Sequence, residues 1–222
     1  MKSESNKLAV RGELALIAMV IMNSAGVLLM LHSGSGISAI SSVPYGFQQV
    51  FPQLTLGTWT YMFQSLLVLV LMLLRRKFIP SYLFSFVVGF VFGKLMDLEK
   101  PFIDALPLNI PMRVLYFVLS YLILCFGISL GNRCGLPITP TDLFPREMAD
   151  ITKLPYARVK ITFDLTCLIT TAVITFVGVG AIRGLGIGTV VAACTMGKGI
   201  SFIGSLLDKR LTFHSVLDGQ KV

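Results

Sequence analysis

Six long apolar runs decide what this chain can fold into. They extend from Leu14 to Leu31, from Leu56 to Leu74, from near Pro80 through Lys94 toward Lys100, from Met112 to Gly131, from Ile161 to Gly180 and from Gly188 to Leu207. About 20 consecutive apolar residues cross the hydrocarbon of a bilayer as a helix, and open sheet cannot stand in for it, because unpaired backbone groups find no water there. The reading is an all-α membrane protein with six transmembrane helices, a single membrane domain over residues 1–222 with the lipid bilayer as its partner. Only 14% of the residues are charged, against about 25% in an ordinary soluble domain, which removes the soluble alternative. The first run is too long for a signal peptide and no small-residue cleavage site follows it, so it is kept as a helix.

The basic residues orient the runs. Of 19 Lys and Arg, 14 fall in the tails 1–13 and 208–222, at Arg75-Arg76-Lys77 and in the stretch from Asn132 to Lys160. Basic residues concentrate in cytoplasmic connections, so these parts are placed inside, with both termini cytoplasmic. The net charge of +8 is spent on topology, and no nucleic-acid partner is expected.

Sliding the chain on itself by about 100 residues brings Gly26 onto Gly127, Gly34 onto Gly135, Ile37 onto Ile138, Ser38 onto Thr139 and Pro44 onto Pro145. Further on, Phe63-Gln64 falls on Phe163-Asp164, and Gly93-Lys94 on Gly197-Lys198. Each unit, about 14–100 and about 112–207, holds one helix, a Gly/Pro-rich connection and two more helices. Three spans is an odd number, so the second unit is inverted relative to the first, a 3+3 construction that many secondary transporters use to place a site near the midplane. The connections after helices 1 and 4 are either re-entrant or surface segments. Pro137, Pro140 and Pro145 are expected to forbid one regular helix in the second. If it dips into the protein, Thr139, Thr141 and Asp142 are suited to hold an ion or solute; otherwise Asp142 caps a surface helix from Leu143 to Ile151.

Charged residues inside apolar runs ask for a function, since each costs about 2.5–3.5 kcal/mol at the bilayer centre on the mildest scale. Lys198 is about ten residues from either end of its run, roughly 15 Å deep and beyond the reach of snorkelling. Lys94 has Asp97 at i+3 as an alternative partner. Asp164 either pairs with Lys160 at i−4 or serves a site, and its repeat partner is Gln64. Asn23 and Gln64 are polar at membrane depth, as packing glue or as ligands. The expected substrate-binding set is Lys198, Lys94, Asp164, Gln64, Thr139, Thr141, Asp142 and Asn23. Two lysines in a low-dielectric cavity select an anionic small molecule.

Cys125, Cys134, Cys167 and Cys194 have no C-x-x-C spacing, and His32 and His214 stand apart, so neither a metal site nor a cofactor is expected. No hydrolase, metalloprotease or nucleotide-binding motif occurs, and the chain is not read as an enzyme. Gly89-x-x-x-Gly93 packs helices within the chain or between two copies, which leaves a homodimer open.

The run Cys134-Gly135-Leu136-Pro137-Ile138-Thr139-Pro140-Thr141-Asp142-Leu143 and the helix opening Gly186-Ile187-Gly188-Thr189-Val190 resemble the YczE/YyaS/YitT group of bacterial integral membrane proteins. The likeness covers most of the chain, although Ser38-Ala39-Ile40-Ser41 in the first unit departs from Thr139-Pro140-Thr141-Asp142 in the second. It implies a bacterial plasma membrane location and transport, without a substrate. The expectation is a carrier of a small anionic solute working by alternating access. The alternatives are the substrate-binding membrane subunit of an energy-coupling-factor vitamin transporter and a non-transporting accessory protein.

Overall fold

A computed structural model of the chain describes residues 8–76 and 80–214. Lys77 and most of both tails lie outside the described residues. A short strand β1 (Leu8–Arg11) leads into α1 (Gly12–His32), α2 (Ala39–Val50), α3 (Leu56–Arg75) and α4 (Pro80–Asp104). Then follow α5 (Ile110–Gly131), α6 (Pro140–Thr152), α7 (Tyr156–Val179), α8 (Ile187–Arg210) and a second strand β2 (Leu211–His214). Among the described residues, α1, α3, α5, α7 and α8 are each long and apolar enough to cross a membrane. The chain reads as a membrane protein. The remaining long helix, α4, carries Lys94, Asp97, Glu99 and Lys100 toward its far end, which lowers its apolar content.

The order long, short, long, long occurs twice. α1 packs on α5 at the centre, α3 on α4 and α7 on α8 flank that pair, and the short helices cross over, α2 onto α7 and α6 onto α3. Small residues set the close approaches, as membrane interiors require where no hydrophobic effect draws helices together. Leu124 lies over Gly26, and the Asn23 amide lies over Gly127. A Cβ on Gly93 would come within 2.6 Å of the Gly57 carbonyl oxygen, and one on Gly197 within 2.9 Å of the Ala157 carbonyl oxygen. These glycines are used inside the chain.

Two expectations are corrected. Pro145 does not break the second connection: α6 is one helix from Pro140, which takes the favoured first-turn position, to Thr152. Pro44 likewise sits inside α2. Each proline is the sixth residue of its helix, so the ring removes one intrahelical bond, freeing the carbonyls of Ile40 and Thr141, and the helix continues. The third apolar run, read as ending near Lys100, also continues further, because α4 runs through Pro101 to Asp104.

The two strands pair in parallel, Leu8 with Leu211 through Arg11 with His214, so both ends of the described chain lie on one face. We call it the terminal face. There Arg75 at the end of α3 forms an ion pair of 2.5 Å with Glu147 of α6, and the Tyr82 hydroxyl donates to the same carboxylate. On the opposite face the α1–α2 and α7–α8 connections interlock. The Ile37 amide donates to the Gly184 carbonyl at 2.9 Å and the Thr189 amide to the Ser35 carbonyl at 3.3 Å. Gly36 and Gly184 hold positive φ of 105° and 76°, and a Cβ on Gly36 would strike the Thr189 hydroxyl.

Candidate functional site

Both short helices begin at the middle of the molecule. Buried isoleucines, Ile37 and Ile138, precede them, and their N-caps are Ser38 and Thr139. Neither N-cap side chain bonds its own helix's first-turn amides. At α6 Pro140 carries no amide hydrogen and the Asp142 amide already donates to the Thr139 carbonyl at 3.0 Å, which leaves the Thr141 amide of that turn without an intrahelical acceptor, while the aligned peptide dipoles place about half a positive charge at each helix start.

The two N-terminal turns line one small cavity of about 30 Å³, together with α1, α4, α5, α7 and α8. Polar groups on its wall are Asn23, Ser38, Ser41, Thr141, Asp142 and Lys160. The volume suffices for a small ion or one or two waters. Asn23 is 3% exposed, and its Oδ1 has no hydrogen-bond partner. Its Nδ2 donates to Asp142 Oδ2 over 3.4 Å, and the Thr139 hydroxyl donates to the same oxygen at 2.8 Å. The hydroxyls of Ser38, Ser41 and Thr141 make no hydrogen bond among the described residues, which leaves them for an occupant. Lys160 and Arg146 are the cations nearest in effect to the Asp142 carboxyl.

Lys160 is the cation of this cavity. Its side chain is 2% exposed and its ammonium donates to both oxygens of Asp164, at 2.6 and 2.7 Å. The i,i+4 spacing on α7 brings the two together. A buried pair of this kind persists because removing either partner strands a charge in a low dielectric.

The residues expected at the site therefore divide. Asn23, Thr139, Thr141 and Asp142 converge at the cavity, and Asp164 reaches it through Lys160. Gln64 is 1% exposed on α3 beside Gly89 and Pro140, with neither amide atom hydrogen-bonded, and it does not line the cavity. Lys94 and Lys198 are not brought together: both lie on exposed sides of their helices. Lys94 stands 5.7 Å from the Phe90 ring centre, while Asp97 accepts from the Thr55 hydroxyl at 2.8 Å and the Gly57 amide at 3.0 Å, so the alternative of a Lys94–Asp97 pair is not formed either. On α8 the inward face is Met196, Gly197, Ile200 and Gly204, and Lys198 falls on the other side. Lys160 was read from the sequence as one of the loop charges. It also enters the sequence reading as the i−4 partner of Asp164, a pairing the structure shows, and the burial of that pair at the head of an apolar run is the signal that marks it as a site residue. No group of three or more His, Cys, Asp or Glu among the described residues could hold a metal ion.

Residues 10–205 match the model of a family described as Family of unknown function (DUF6198). The chain belongs to that family. The match takes in every residue of the central cavity, so the cavity lies wholly within the family's shared region. No curated protein and no solved structure matches the chain.

Proposed function

We propose that this protein carries a small anionic solute across a membrane by alternating access. In this reading α1–α4 and α5–α8 are inverted halves, each with three spans and one half-helix. The observation that carries it is the convergence of two uncapped half-helix N-termini and one buried ammonium on a single cavity. Partial positive charge from two helix starts favours an anion, and although Asp164 balances the Lys160 charge, the ammonium's remaining N–H and the free hydroxyls supply donors for it. Asp142 opposes them and is suited to carry the proton or charge that couples the cycle.

Support for the inverted halves comes from the cavity wall. Asn23 faces it with Leu124, Val27 with Ile128, Ile40 with Thr141 and Ser41 with Asp142, each pair 101 residues apart, and Phe92 with Met196, 104 apart. A site on the axis relating two such halves can be exposed to either side by the same motion in mirror sense. The small volume favours an anion of few atoms. The location proposed is the bacterial plasma membrane with the terminal face cytoplasmic, supported by Arg75, Arg133, Lys209 and Arg210 at that face and by the likeness to the YczE/YyaS/YitT group.

The test is flux of chloride, formate, nitrate and acetate into liposomes holding the purified protein. Wild type is compared with the double variant K160T/D164Q, which places the residues of positions 60 and 64 at the matching positions of the second half. Transport of at least one anion, falling roughly tenfold or more in the variant as loss of a charge-assisted contact implies, is the expected result. No flux of any of them, or equal flux in the variant, would sink the reading.

A further inference from the structure

The central cavity is not the only recess with unsatisfied polar groups. On the terminal face a larger one, about 410 Å³, opens between the end of α5, α6, the start of α7 and α8. Its wall includes Asn132, Arg133, Arg146, Tyr156, Ser201 and Asp208.

The two arginines differ. Arg133 is committed, since its Nε and Nη2 donate to the two oxygens of Asp208 at 2.6 and 2.8 Å and Nη1 reaches the Ser129 carbonyl at 3.2 Å. Arg146 is half-buried, and among the described residues its guanidinium makes neither an ion pair nor a hydrogen bond. Glu147, its neighbour on α6, is taken by Arg75 and Tyr82. Close by, the Tyr156 hydroxyl and the Asn132 side chain are buried against each other, too poorly aligned for a hydrogen bond of ordinary geometry.

A buried hydroxyl with only a badly aligned acceptor forfeits much of the bond it would make in water, and a guanidinium is a planar five-donor fork matched to two oxygens of a carboxylate or phosphate. The recess has the donors for such a group and ample volume, and its one carboxylate is already engaged by Arg133. Position on the helix adds to this. Arg146 follows Asp142 by four residues, so the two share a face of α6, Asp142 at the central cavity and Arg146 one turn nearer the terminal face.

We infer that this recess binds an anionic oxygen group, a phosphate or a carboxylate, held by the Arg146 guanidinium and the Tyr156 hydroxyl. The group belongs either to a free solute or to a phospholipid head at the membrane surface. The inference stands on the recess alone and does not need the central cavity to transport anything.

The experiment is thermal unfolding of the purified chain in an uncharged detergent, with inorganic phosphate in one arm and phosphatidylglycerol in another. Sodium chloride of equal ionic strength and phosphatidylcholine are the controls. A rise of about 2–4 °C over the matching control is expected in at least one arm, and it disappears in R146Q. Without ligand the variant should fold and melt close to wild type, since Arg146 has no hydrogen bond to lose and only its attraction to Asp142 goes, and each rise is read against the variant's own ligand-free midpoint. A rise with phosphate identifies a solute site, and a rise with the anionic lipid alone identifies a headgroup site. Y156F should fold and show a reduced rise. No rise in either arm, or an equal rise in R146Q, overturns the inference, and an unreduced rise in Y156F removes the hydroxyl from it.

Discussion

Ser33 and Cys134 occupy matching places in the two halves of the molecule and make the same two bonds. The Ser33 hydroxyl donates to the Met30 carbonyl at 2.6 Å and accepts from the Ser35 amide at 3.1 Å. The Cys134 thiol donates to the Gly131 carbonyl at 3.1 Å and accepts from the Leu136 amide at 3.4 Å. Where a chain must end a long helix and turn inside the protein, both halves solve the backbone problem alike. One turn into the following long helix they part. Thr60 and Gln64 on α3 are buried and neutral, with the Thr60 hydroxyl and both Gln64 amide atoms unpartnered, whereas Lys160 and Asp164 on α7 are buried and charged, and bonded to each other. Shared architecture is thus kept apart from electrostatics, and the ionisable groups at the centre, Asp142, Lys160 and Asp164, all belong to the second half.

The largest effect that could break this contrast comes from K160M. It leaves Asp164 buried without its partner and should cost about 3–5 kcal/mol, seen as a steep fall in the thermal midpoint in detergent. The double variant K160T/D164Q should recover most of that fall, because the first half already tolerates Thr60 and Gln64 in the same setting. If K160M melts like wild type, the pair is not the structural difference between the halves.

A smaller effect sharpens the comparison of helix packing. G57A pushes a methyl into the Gly93 carbonyl and the Asp97 carboxylate and should cost about 1–3 kcal/mol. The reverse change at the matching place, A157G, should cost about 1 kcal/mol or less, the helix-propensity difference alone. Equal melting of the two variants would mean that α3–α4 and α7–α8 approach equally closely. The smallest effect is expected from C134S, within about 0.5 kcal/mol of wild type, since serine already makes these bonds at position 33. A drop well beyond that would show that the two turns are not equivalent.

The helices were legible because crossing a bilayer fixes their length: the run from Leu14 to Leu31 becomes α1, Gly12–His32, and that from Leu56 to Leu74 becomes α3, Leu56–Arg75. The short helices could be located from their Gly and Pro punctuation, although Pro145 misled about continuity, because one lost bond does not end a helix that neighbours hold on several sides. Which way a side chain points was not legible. Lipid and core are equally apolar, so α8 shows little contrast between its faces, and nothing in the sequence distinguishes the exposed Lys198 from the buried Met196 and Ile200. Lys160 was hidden differently. α7 starts at Tyr156, before the apolar run does, and draws a residue with the look of a loop charge into the interior. Arg146 was counted toward topology for the same reason, although its lack of a partner is visible only once Glu147 is seen to be occupied.

The parallel pairing of β1 with β2 has a kinetic consequence. Among the described residues β1 precedes the eight helices and β2 follows them, so Leu8 must wait for Leu211 while those helices are synthesised and inserted. Until then β1 is an open edge able to take up any extended segment. Closing so long a loop becomes worthwhile only after the helices have brought the ends together, which makes the two-stranded clasp the last piece of the fold to form and a marker of chains that have finished assembling.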